Sequence, residues 1–267
     1  MVAVELSRLF RRPRTAVMVL LLCLLPAVVA VFLKTSGVAP RPGTGPAFLS
    51  AVLANGALFP AAALAIVLPL FLPVAVCLVA GDAIAGEAQA GTLRYLLVRP
   101  VGRVRLLVAK LVSVIVFTMV AVVAVAASSY VVGVQLFGSQ PVASTSGTTL
   151  SSGDATLRTV LAVLYVGWSM LGVASVALFL STLTDSPLAA SLGAIAVLVT
   201  SAVLVGLDAS ASVQPYLPTR YWLSFVDLFR DPVHTRDVLR GTALQGVYIV
   251  VLLGGAWANF ATKDITS

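Results

Sequence analysis

Glu87 and Arg94 lie seven residues apart, two turns of a helix, with Gly91 between them. On one helix face they would sit together, and Gly91, lacking a side chain, would let a neighbour approach closely. The other reactive residue types are sparse. His234 is the single histidine, no HExxH occurs, and an isolated histidine in a polar loop reads as solvated. The GxxxxGK[ST] pattern that cradles nucleotide phosphates is absent, so any ATP chemistry must come from another chain. Cys23 and Cys77 both fall in apolar runs and read as small core residues rather than a disulfide. No Asp, Glu, Lys, Arg or His falls well inside the long apolar runs. That argues against proton relays, intramembrane metalloproteases and aspartyl proteases, though backbone carbonyls could still hold Na⁺. These residues predict no catalytic group, no metal site and no bound cofactor: the chain is not expected to be an enzyme.

The elements that must position Glu87 and Arg94 follow from composition. The chain has 267 residues, 60% hydrophobic and 10% charged, with mean hydropathy +1.06. That is too little charge to clothe a soluble domain, so the bilayer is the expected solvent. Spanning about 30 Å of hydrocarbon takes about 20 apolar residues. Six spans fit, at about 15–33, 58–80, 107–136, 159–183, 187–207 and 241–262, forming one transmembrane domain over 1–267. Pro69 and Pro73 should kink the second span. Gly138–Gly153 is rich in Ser, Thr and Gly and reads as a loop. Thr184-Asp185-Ser186 before Pro187 supplies an N-cap and a first-turn proline, so spans four and five should form a tight hairpin. Ala189 with Gly193, and Ala124 with Ser128, have the small-xxx-small spacing of close helix contacts. With the N-terminus inside, ten Lys and Arg lie on the inner side and seven on the outer. The bias favours cytoplasmic N- and C-termini in a plasma membrane. The dominance of arginine over lysine, with abundant Ala and Val, points to a bacterial chain.

Three segments should lie at the membrane surface. Val2, Leu6, Leu9 and Phe10 form an apolar stripe, with Glu5, Arg8, Arg11 and Arg12 elsewhere and Pro13 as the stop. This predicts an amphipathic helix on the inner leaflet, its arginines near anionic headgroups. In the inner connection Gly81–Arg105, Ile84, Ala88, Gly91 and Tyr95 form one stripe. Leu93, Leu96 and Leu97 form a second on roughly the opposite side, and Pro100 ends the helix. A surface helix with two apolar stripes needs a second cover beyond the membrane. In the outer segment 208–240, Trp222, Phe225, Val226 and Phe229 share a face opposite Arg220, Ser224, Asp227 and Asp231. This is an interfacial helix with an aromatic anchor, or a cap over a path through the bundle.

The inner connection resembles the cytoplasmic coupling element of type-2 ABC exporter permeases. The pattern is carried by Gly81, Gly86, Glu87, Gly91, Thr92, Leu93, Leu96, Leu97, Pro100 and Arg103, followed by Lys110. The ending Ala256-Trp257, Phe260 and Lys263-Asp264-Ile265 is similar to that family's, and the likeness covers the whole chain. The resemblance implies an all-α membrane fold of six spans, with an N-terminal amphipathic helix and a coupling helix over 82–100. It implies an ATP-driven exporter in which two permease subunits, alike or closely related, pair around the path, with spans two and five lining it. Two separate ABC ATPase subunits, carrying the ATP and Mg, would dock on the inner face. By resemblance Asp82, Glu87, Gly91, Thr92, Arg94, Tyr95, Arg99 and Pro100 are the ATPase-coupling residues. Trp222, Phe225 and Phe229 would belong to an outer gate or interfacial helix. The membrane lipid is the remaining partner, and nucleic acid is not one. The alternatives are a secondary transporter or channel working alone, and a membrane scaffold anchoring a cytoplasmic ATPase.

Overall fold

The computed structural model describes residues 2–36, 56–91, 103–138, 142–143, 149–150 and 152–262. The described chain is almost entirely helical, apart from a short antiparallel pairing of β1 (Val142–Ala143) with β2 (Thr149–Leu150). The helices are α1 (Val2–Arg11), α2 (Pro13–Ser36), α3 (Phe59–Val67), α4 (Phe71–Gln89), α5 (Arg103–Phe137), α6 (Ser152–Leu183), α7 (Pro187–Val205) and α8 (Arg236–Thr262). Six of these are long and apolar enough to cross a membrane: α2, α4, α5, α6, α7 and α8. This is the architecture of a multi-pass membrane protein, and the six expected spans correspond to observed helices in order.

The second span departs from a simple kinked helix. A short 3₁₀ turn at Gly56–Leu58 leads into α3, which stops before Leu68–Leu70, and α4 begins at Phe71. Pro69 lies in the break, where its missing N–H and its ring oppose a continuous ladder. Pro73 does not kink anything. It is the third residue of α4, where an N–H would have no intrahelical partner in any case. A second correction concerns the other end. The helix expected over 82–100 does not begin as a separate element, because Asp82 and Glu87 belong to the last turns of α4. That helix ends at Gln89, capped by Ala90, and Gly91 turns the chain at φ +67°. A Cβ on Gly91 would meet nothing within 4 Å, so this glycine supplies a left-handed turn rather than a close approach.

α4, α5 and α6 form the centre, with 61%, 56% and 67% of their spanning windows buried. α2 packs on α5, α7 on α4 and α6, and α8 on α6. The spanning window of α8 is only 11% buried, so most of it faces outward with Val247, Val250, Val251 and Trp257. In lipid, such helices associate through close packing and interhelical hydrogen bonds rather than the hydrophobic effect. Among the close approaches are Gly56 against Gly133 and Gly81 against Ser191. A Cβ on Gly56 would lie 2.0 Å from the Gly133 carbonyl oxygen, and one on Gly81 2.3 Å from Ser191 Oγ. The expected Ala189/Gly193 pair makes no such approach: a Cβ on Gly193 would meet only Leu180 Cδ1, at 3.3 Å. The α6–α7 hairpin forms as expected, with Ser186 as N-cap accepting from the Ala189 amide at 3.3 Å and Pro187 in the first turn.

Candidate functional site

The charges that the linear sequence scatters over more than a hundred residues meet at the end of the bundle that carries α1. Lys110, two turns into α5, is 7% exposed. Its ammonium donates to Glu5 Oε2 of α1 at 2.8 Å and to Glu87 Oε1 of α4 at 3.0 Å. Arg8 approaches Glu87 Oε1 at 3.7 Å. One turn and a half earlier on α4, Asp82 Oδ2 accepts from Arg12 at 2.8 Å and also from Arg14. The network therefore ties α1, the start of α2, α4 and α5 together at one level.

Sequence and geometry explain why these elements deliver these groups. Arg11 ends α1, Arg12 forms a bend, and Pro13 opens α2, so Arg12 and Arg14 flank a sharp corner facing α4. Glu5, Arg8 and Arg12 are spaced at three and four residues and share one helical side. This rotates α1 from its expected pose. Glu5 and Leu9 turn toward the bundle, and Arg8 and Arg12 pair with carboxylates, while Val4 and Phe10 are exposed. Desolvating Lys110 would cost several kcal/mol if it were unpaired, roughly the penalty for one buried ion. Its two carboxylate partners offset that cost.

A cavity of about 750 Å³ opens beside this network. Its walls come from α1, α2, α4, α5 and the start of α7, and combine the charged groups with Met18, Leu78, Val79, Val114 and Leu188. Ser191 lines it on the α7 side, where that helix touches α4 at Gly81.

A second polar feature sits just above. Ser181 Oγ of α6 donates to the Gly81 carbonyl at 2.7 Å and accepts from the Ile84 and Ala85 amides at 3.1 and 2.9 Å. A side-chain hydroxyl thus inserts into the α4 backbone ladder within one residue of Asp82. Such insertions loosen the i→i−4 ladder and permit local bending.

The opposite end is closed by the irregular segment between α7 and α8. Its residues Trp222–Phe229 form a 3₁₀ helix, not the expected α-helix. With three residues per turn, Trp222, Phe225 and Leu228 fall on one side, and all three are buried together with Phe229. These aromatics pack inward against α6 and α8. Side chains of the helices satisfy the segment's carbonyls. Tyr165 donates to Tyr221 O at 2.6 Å, Gln245 to Pro218 O at 2.7 Å and Tyr248 to Tyr216 O at 2.8 Å. Carbonyls of irregular backbone have no ladder partner, and these side-chain donors supply one.

Of the residues singled out from sequence, Asp82 and Glu87 are therefore in the network and Gly91 terminates α4. Thr92, Arg94, Tyr95, Arg99 and Pro100 lie outside the described residues, as do Lys263, Asp264 and Ile265. Trp222, Phe225 and Phe229 are gathered in the closing segment. Sequence reasoning missed the pairing role of Glu5, Arg8, Arg12, Arg14 and Lys110. The signal was present in part, because Glu5 is the single acid of α1 and Lys110 is the single charge beyond the first turn of α5. Among the described residues, no group of His, Cys, Asp and Glu is arranged to hold a metal ion.

Residues 19–266 match a family model described as "Protein of unknown function (DUF2705)". No curated protein matches the chain.

Proposed function

We propose that this chain, which belongs to the DUF2705 family, is the membrane-spanning permease subunit of an ATP-driven exporter. It would pair with a second permease subunit and take its energy from separate ABC ATPase subunits on the cytoplasmic face. The observation that supports this reading best is the Lys110–Glu87 pair. α4 enters the connection 92–102 and α5 leaves it, and this buried pair clamps the two helices together just beyond it. A push on the connection is thereby delivered to both helices and, through Glu5, to α1. Coupling of this kind is what a subunit without its own nucleotide site needs. In this orientation the α1 end is cytoplasmic, both termini are inside, and the segment with Trp222, Phe225 and Phe229 caps the outer end.

One alternative draws on the same geometry. A buried Lys–Glu–Glu triad is a feature that a stand-alone ion-coupled transporter also uses. It predicts solute movement driven by an ion gradient with no ATPase present.

The coupling role is tested by cysteine cross-linking in native membranes. Cysteines placed one at a time at Arg94, Tyr95 and Arg99 should cross-link to a protein carrying Walker motifs, and a cysteine at Ala211 at the opposite end should not. Adducts with no such protein from any of the three positions would remove this connection from the mechanism.

A further inference from the structure

We infer that the cavity beside α1 is a binding site for one monoanionic phosphodiester, supplied by the headgroup of an anionic phospholipid such as phosphatidylglycerol. The inference does not depend on the exporter reading, since it concerns only what the membrane offers to this end of the bundle.

The charge balance is the first argument. Among the described residues, the cavity walls carry four cations, Arg8, Arg12, Arg14 and Lys110, against three carboxylates, Glu5, Asp82 and Glu87. Lys110 is fully engaged by Glu5 and Glu87. One positive charge is left over, and it resides on the arginines at the rim. A phosphodiester carries one negative charge and closes the balance. A zwitterionic headgroup brings a further cation and does not.

Donor geometry is the second. A guanidinium has five N–H donors in a planar fork. Arg12 and Arg14 each spend one nitrogen on the same oxygen of Asp82, and Arg8 stands 3.7 Å from Glu87. Their side chains are 43–57% exposed, so the remaining donors are available to a tetrahedral oxyanion, for which arginine forks are suited.

The third argument separates a lipid from a soluble ester. Part of the wall is apolar, with Leu78 and Leu188 exposed, Met18 half-buried and Val114 buried. An acyl chain would cover that wall, and a free phosphate ester would leave it bare. The position is also right: α1 has one apolar side suited to the headgroup–acyl boundary, and basic pockets between spans at that level bind anionic headgroups.

Native mass spectrometry of the purified protein in detergent micelles tests this, with phosphatidylglycerol and phosphatidylcholine offered at equal concentration. We expect one phosphatidylglycerol retained, about tenfold over phosphatidylcholine, as losing a charged hydrogen bond implies. Arg14→Gln and Arg8→Gln should each reduce retention about tenfold. Arg8→Gln leaves both partners of Asp82 in place, so it reports on the site even if Arg14→Gln lowers stability. Soluble glycerophosphoglycerol should compete only weakly. Equal retention of the two lipids, or undiminished phosphatidylglycerol on folded Arg8→Gln, would overturn the site. Displacement by glycerophosphoglycerol at matched concentration would overturn the lipid as its occupant.

Discussion

Lys110 carries the heaviest consequence of any single side chain here. Replacing it with alanine leaves Glu5 and Glu87 facing each other at low exposure with their shared cation gone. Removing one partner of a buried ion pair costs about 3–5 kcal/mol, and the like-charged carboxylates add to that. Glu87→Ala is milder, because Lys110 retains Glu5. Thermal unfolding in detergent should therefore rank wild type above Glu87→Ala and Glu87→Ala above Lys110→Ala. The double variant Lys110→Met/Glu87→Gln should recover part of the loss, since it removes both charges of the pair. Equal stability of all four proteins would mean the triad does not form. On function, Glu87→Ala and Arg94→Ala should leave ATP hydrolysis by the assembled complex running while transport falls. Normal transport with normal hydrolysis in both variants would exclude these residues from coupling.

Packing between elements makes its own predictions. Gly56→Ala places a methyl 2.0 Å from the Gly133 carbonyl oxygen and 2.9 Å from that of Gly138. Both are backbone atoms that cannot rotate away, so the 3₁₀ turn must separate from α5, costing about 1–3 kcal/mol or more. Gly254→Ala on α8 meets nothing within 4 Å and should be neutral or stabilise by about 0.5–1 kcal/mol through helix propensity. Unfolding curves that fail to separate these two variants would contradict the described contact. Ser181→Ala should cost about 1–3 kcal/mol if the hydroxyl is needed by the α4 backbone. An unchanged protein would mean that α4 closes its own ladder there.

The same elements show what a linear reading can reach. The six spans were legible because an uncharged run of about 20 residues is what crossing a bilayer demands and little else does. The α6–α7 hairpin was legible because Ser186 and Pro187 are local signals. The end of α4 was not. The uncharged run stops at residue 80, where glycine and charge enter, but Gly81–Gln89 keeps helical spacing and the helix runs on to Gln89. The 3₁₀ winding at Trp222–Phe229 was missed for a related reason, as three-residue and 3.6-residue spacings select nearly the same aromatics over this short stretch. The Glu5–Lys110 pair joins residues 105 apart. No local pattern announces it, and only the packing of α1 against α5 brings it together.

At the scale of the whole molecule, the three central helices, the closed end and the charged end form one device with a polarity. The proposed orientation places the α1 end inside, where ten of the 17 Lys and Arg lie by the sequence count. A reporter of cytoplasmic exposure fused at either terminus should give the same inside signal. Opposite signals from the two termini would require an odd number of spans. The central claim is that this bundle is driven by another protein. Its most direct test is to purify the tagged chain from its native membrane in a gentle detergent and identify what accompanies it. The account predicts a stoichiometric partner with Walker motifs, lost when residues 92–100 are disrupted while the bundle stays folded. A chain that purifies alone and still moves solute into vesicles without ATP would contradict it.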